Sequence, residues 1–292
     1  MSILVLTLIT GIGLGALYFL VASGLSLIYG LMHVLNFAHG AFLTLSAFVG
    51  WEVARRMNTE SWGGFITSIL VGALVGALFA TITEFALIRP LYERHIEQVL
   101  VTVGLSFAAI ALFEGIWGTD PIYIAGPSWL KQTTEVLGAK IPNTYWILMI
   151  AAALVLIALV LFLRKTRYGT IIRAGVENRA MVTALGIDVR KSFTIVFAIG
   201  GAAAGIGGVL AAHYSGYVSA HLGQTLLIFA FIVTVIGGLG SLAGAAIASV
   251  IVAVLQQVAN TYLNGTGDFI VAILLAVVLL VRPRGLMGKK AV

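Results

Sequence analysis

Nine continuously apolar runs, at 3–29, 38–54, 62–88, 97–118, 143–163, 192–215, 225–240, 243–262 and 268–281, follow one another with little polar sequence between them. A helix needs about 20 apolar residues to cross the hydrocarbon core of a bilayer, and most of these runs have that length. A transmembrane barrel would instead alternate apolar and polar residues in segments of about ten, a pattern absent from these runs. Hydrophobic residues make up 60% of the 292 and charged residues 10%, against about 25% charged in a soluble domain, and mean hydropathy is +1.08. No water-soluble core encloses that much apolar surface. The expected fold is all-α: one polytopic transmembrane helical bundle over residues 1–292, with about eight to ten membrane elements, some broken or re-entrant.

The formal charge of +6 would suggest nucleic acid as a partner for a soluble protein, but here the cations cluster in loops and point to the membrane surface. Two of the 17 lysines and arginines lie at 55–56, two in 89–94, two in 131–140, seven in 164–191 and four in 282–290. The positive-inside rule places 164–191 and the C-terminus in the cytoplasm. It follows that 89–97 is inside and that 118–143 and 216–224 are outside. Nine crossings leave the N-terminus outside together with Arg55 and Arg56, against the rule; a tenth element, or a re-entrant stretch at 30–40, would reverse that part. The first basic residue is Arg55, so the N-terminus lacks the charged region of a cleaved signal peptide, and the first run is expected to be a retained span. The chain has no cysteine, which removes disulfides, thiolate nucleophiles and cysteine metal sites; no metal site is expected.

Two apolar runs are broken, one from Tyr29 to Gly40 and one at Gly237-Gly238-Leu239-Gly240-Ser241-Leu242-Ala243-Gly244. Non-helical backbone at membrane depth survives only against protein or a water-filled cavity, so each break marks either a pathway or a tight surface loop. Within the first, Asn36-Phe37-Ala38-His39-Gly40 carries two readings. Asn36 and His39 either line a substrate path inside the bundle, or Asn36 caps a helix while a carbonyl satisfies His39. Glu84 and Glu114 are the carboxylates placed well inside spans; each either contacts solute or a proton, or snorkels or pairs with an arginine near a span end. Glycines four apart (Gly11 and Gly15, Gly72 and Gly76, Gly201 and Gly205, Gly240 and Gly244) are expected to let helix backbones approach. Gly238 to Ala243 matches a dinucleotide fingerprint in letters alone, since no strand precedes it and no acid follows before Asp268; a P-loop run is absent as well.

The loop 164–191 reads as holding a short helix started by Glu177 or Asn178 and ended by Gly186 in the left-handed conformation. Met181 and Leu185 fall on one face beside Ala180 and Ala184. A helix of about two turns is unstable alone in water, so it docks either on a protein partner or among lipid headgroups.

Together, the Gly24 to Gly40 stretch, the Glu84 to Tyr92 stretch with Arg89-Pro90-Leu91-Tyr92, Thr102-Val103-Gly104-Leu105-Ser106, the Arg167 to Asp188 loop and Gly237 to Gly244 resemble the LivH-type permeases of branched-chain amino acid ABC importers, essentially end to end. The resemblance implies a multi-pass protein of the bacterial inner membrane. It also implies a LivM-like second permease, two cytoplasmic ATPases that use ATP and Mg, and an external solute-binding protein as partners. This chain would bind no cofactor and do no covalent chemistry. The segment containing Glu177, Asn178, Ala180, Met181, Ala184, Leu185 and Gly186 would be the ATPase-coupling element, although it lacks a literal Glu-Ala-Ala. The cargo would be branched-chain amino acids or a related small polar or carboxylic solute. The alternative class is an ion- or proton-coupled secondary transporter using Glu84 or Glu114.

Overall fold

A computed structural model describes residues 2–32, 36–92, 94–177, 179–184, 186 and 189–288. Its membrane helices are α1 (Ser2–Met32), α2 (His39–Met57), α3 (Trp62–Thr83), α4 (His95–Trp117) and α5 (Thr144–Lys165), then, after two short helices α6 (Arg167–Glu177) and α7 (Arg179–Ala184), α8 (Val189–Ser215), α9 (Leu222–Gly237), α10 (Leu242–Tyr262) and α11 (Gly267–Val281). The apolar runs thus become helices within a few residues of their expected bounds. Among the described residues six helices have the length and apolarity to cross a membrane, α9 and α11 are shorter apolar helices, and α2 carries Glu52, Arg55 and Arg56 near its end.

Pairing across the bundle fixes which ends lie together. Strand β1 (Ile122–Tyr123), after α4, pairs antiparallel with β4 (Tyr217–Val218), after α8. Thr7 on α1 hydrogen-bonds Thr261 at the end of α10, at 3.3 Å. With 164–191 inside, α1 therefore starts outside, and Arg55 and Arg56 lie outside too. Both arginines contact Glu52, at 3.2 and 3.0 Å, so the external pair contributes one net positive charge. Between β1 and α5, strands β2 (Thr133–Val136) and β3 (Ala139–Pro142) form a hairpin turned by Leu137 and Gly138, both at positive φ.

The interior is built on close backbone approach. A Cβ at Gly76 would collide with the Gly201 carbonyl oxygen, and one at Gly205 with that of Gly72, so α3 and α8 meet at their glycines; Gly11 and Gly15 likewise meet Val254 and Val250 of α10. Lipid tails give no hydrophobic drive for association, and dispersion at such contacts replaces it. Large side chains face outward instead: Ile66, Leu70, Leu74, Leu78 and Ile82 form an exposed stripe along α3.

Both breaks are real but differ from expectation in detail. Helix α1 continues through Tyr29 and Gly30 to Met32, which narrows the first break to residues before His39. Asn36 is not the N-cap of α2, a position held by Ala38; its Oδ1 accepts from the Ala38 amide at 3.1 Å and its carbonyl from His39 at 3.2 Å. At the second break α9 stops at Gly238 (φ +100), and Ser241 caps α10 by accepting from Gly244 N at 3.0 Å. The segment after α11 returns here: Leu286 N donates to Ile236 O at 2.8 Å and Met287 N to Gly237 O at 3.0 Å, closing carbonyls at the end of α9.

Candidate functional site

The first candidate region is the return between α1 and α2. Asn36 and His39 are buried, at 3% and 0% exposure, and neither faces lipid. His39 Nε2 lies 3.0 Å from the Val21 carbonyl of α1. A carbonyl only accepts, so Nε2 carries a proton, and Nδ1 is left without a partner. The ring packs where a Cβ at Gly24 would stand, with its edge toward Phe42. Ser26 Oγ and Asn36 Nδ2 are also buried and unpartnered, and the Phe37 amide donates to Thr102 of α4 at 3.3 Å. Buried polar atoms are normally satisfied. Ser26 of α1, Asn36 of the return and His39 of α2 thus each leave a buried polar atom unpartnered. Replacing His39 by Leu is expected to lower transport at least about tenfold while the complex still assembles; loss of the folded complex instead would reduce His39 to a packing role. Uptake in vesicles alongside gel filtration separates the two.

The carboxylates part company. Glu84 is fully buried in a π-helical turn, Glu84–Ile88, and does not snorkel. Its oxygens accept from the hydroxyls of Tyr92 and, at 2.8 Å, Thr194; among the described residues no lysine or arginine pairs with it. Glu114 lies at the external end of α4, 3.2 Å from His221, with side-chain exposures of 33% and 61%. The structure therefore does not bring Asn36, His39, Glu84 and Glu114 into one cluster. Sequence reasoning gave no site role to Thr194, Tyr92, Thr102 or His221, because ordinary hydroxyl and imidazole residues carry no local signal of their distant partners.

On the basic side, the short helix expected between Glu177 or Asn178 and Gly186 is α7, and a separate helix, α6, precedes it. Glu177 ends α6 and so does not begin a helix; Arg179 begins α7, and Gly186 has φ +74. Asn178 and Leu185 lie outside the described residues. The sharp turn into α6 is set by Thr166, whose Oγ1 donates to Phe162 O at 2.7 Å and accepts from Gly169 N at 3.0 Å. Ile172 of α6 and Val182 of α7 are buried, at 3% and 4%, whereas Met181 is 62% exposed and Ala184 exposed. Helix α6 packs on α1, α5 and α8, and α7 on α6 and α8. The inner face of this pair thus grips the bundle, and Met181 and Ala184 lie on its exposed outer face. Among the described residues no three metal-ligating side chains converge.

A family model described as "Branched-chain amino acid transport system / permease component" matches residues 7–281. The chain is similar to the high-affinity branched-chain amino acid transport system permease protein LivH of Salmonella typhimurium, 28% identical over 97% of this chain and 94% of that protein. It is similar to BraD of Pseudomonas aeruginosa, 26% identical over 98% and 96%. It also matches the fructose import permease protein FruF of Bifidobacterium longum, 26% identical over 86% of this chain and 69% of that one. No solved structure matches it significantly. The match spans every membrane helix from the first third of α1 to the end of α11, and the chain belongs to the branched-chain amino acid transport permease family as a multi-pass permease component of the inner membrane.

Proposed function

We propose that this permease passes a branched-chain amino acid, or a related small polar or carboxylic solute, as part of an ATP-driven importer. Its partners would be a LivM-like second permease, two cytoplasmic ATPases that use ATP and Mg, and an external solute-binding protein. The observation that carries this reading is the pair α6–α7: two short helices on the basic side, gripping the bundle with one face and presenting Met181 and Ala184 with the other. The chain has no P-loop of its own, so ATP hydrolysis would have to come from a partner, and this outward face is the proposed seat for it. Solute would pass along α1, α2 and α4 near Asn36, His39 and Thr102, with the Glu114–His221 pair at the external end. Cargo selection belongs to the binding protein, consistent with relatives named for both amino-acid and fructose import.

The test is the energy source. In vesicles holding the assembled complex, uptake is expected to need ATP, to stop with vanadate, and to survive a protonophore. Uptake that persists without ATP and collapses with the proton gradient would favour an ion-coupled transporter, with buried Glu84 or Glu114 as its coupling group.

A further inference from the structure

The Glu84 carboxylate is a costly group that bonds Tyr92 and Thr194 and neither Asn36 nor His39. An ionisable side chain at membrane depth is retained for function or for a structural tie. The elements it joins point to the second. Glu84 opens the π turn at the end of α3, where the Arg89 amide donates to the Glu84 carbonyl and the widened turn sets its side chain inward; such turns recur at functional positions. Tyr92 belongs to the connection leading into α4. That connection is clamped to α4, because the Gln98 side chain donates to the Leu91 carbonyl and Arg94 N donates to the same oxygen at 2.8 Å. Thr194 lies on the second turn of α8, the helix that follows α7 directly. The neighbouring Phe193 is 1% exposed and packs edge-on against Tyr92, with ring centroids 4.8 Å apart.

We propose that Glu84 is a positioning residue of transport: its carboxylate ties the start of α8 to the α3–α4 connection, so that displacement of α6–α7 by an ATPase moves three membrane helices as one body. This rests on the assignment of α6–α7 as the coupling element. Two hydroxyls converge on this one buried side chain, and the bond to Thr194 spans 110 residues of sequence. Without the tie, α3 and α8 still move together along their glycine seam, but Tyr92 and the connection into α4 are free to lag behind them.

Thr194→Val and Tyr92→Phe each remove one hydroxyl while keeping the shape of the side chain. In the reconstituted complex each is expected to leave ATPase association and basal hydrolysis at wild-type levels and to raise the ATP hydrolysed per solute transported by about tenfold. Thr194→Ser should restore the ratio. A wild-type ratio in both variants would overturn the proposal, as would parallel loss of transport, hydrolysis and assembled complex, which marks a purely structural bond. Leu185→Asp in the same preparation keeps the two failures apart. If that variant detaches the ATPase while Thr194→Val stays fully coupled, the Glu84 tie is wrong and the docking assignment stands. If it keeps the ATPase bound, the docking assignment falls and takes this proposal with it.

Discussion

Gly201→Leu is expected to abolish recovery of folded protein, whereas Gly104→Ala should be recovered like the wild type. At Gly201 a Cβ would meet the carbonyl oxygen of Gly76 and the side chain of Ala80, and those contacts are backbone of α3 or a short side chain with no freedom to turn away. Adding methylenes to a packed interior costs about 1–3 kcal/mol when neighbours can shift, and more when they cannot. Here relief requires α3 and α8 to separate along the seam that also holds Gly72 against Gly205, so one substitution unzips several contacts at once. Folded domains hold only about 5–15 kcal/mol in reserve. At Gly104, in contrast, a Cβ has nothing within 4 Å. Size-exclusion profiles and thermal midpoints in detergent check both; a Gly201→Leu protein with wild-type yield and midpoint would mean that the α3–α8 seam is looser than its geometry.

How much of this was legible in the sequence follows from which forces are local. The spans were legible because a bilayer demands long apolar runs whatever surrounds them. The glycine pairs at Gly72/Gly76 and Gly201/Gly205 were legible as packing surfaces, yet nothing in the sequence says that they face each other, since lipid-exposed and protein-facing apolar residues look alike. Helix α6 was not legible: its glycines at 169 and 175 and its charged residues read as loop, and its stability comes from burying Ile172 against the bundle. Asn36 was legible as a polar break. Its use in a turn three residues ahead of the helix, with Ala38 at the cap position, depends on the route of the chain between α1 and α2. Glu84 stood out as an acid in an apolar run, but its partners did not, because Thr194 reaches it through the fold alone.

Leu185→Asp is expected to release the ATPase while the permease still inserts and folds. In sequence the residue stands between Ala184, the last of α7, and Gly186, inside the segment proposed above as the ATPase seat. Burying one leucine side chain contributes about 1.5–3 kcal/mol, so its loss should weaken ATPase binding by roughly tenfold to a hundredfold. A carboxylate forced into an apolar contact also costs its own desolvation. The change leaves Ile172 and Val182, the buried side chains of the two helices, in place, so detergent yield and thermal midpoint should stay at wild-type values. Co-purification of the ATPase should fall, and with it solute-stimulated hydrolysis and uptake. Wild-type association with wild-type stimulated hydrolysis would return α6–α7 to the role of a basic element lying among lipid headgroups, and a vesicle-binding assay with anionic lipid would then show its dependence on Arg167 and Arg173.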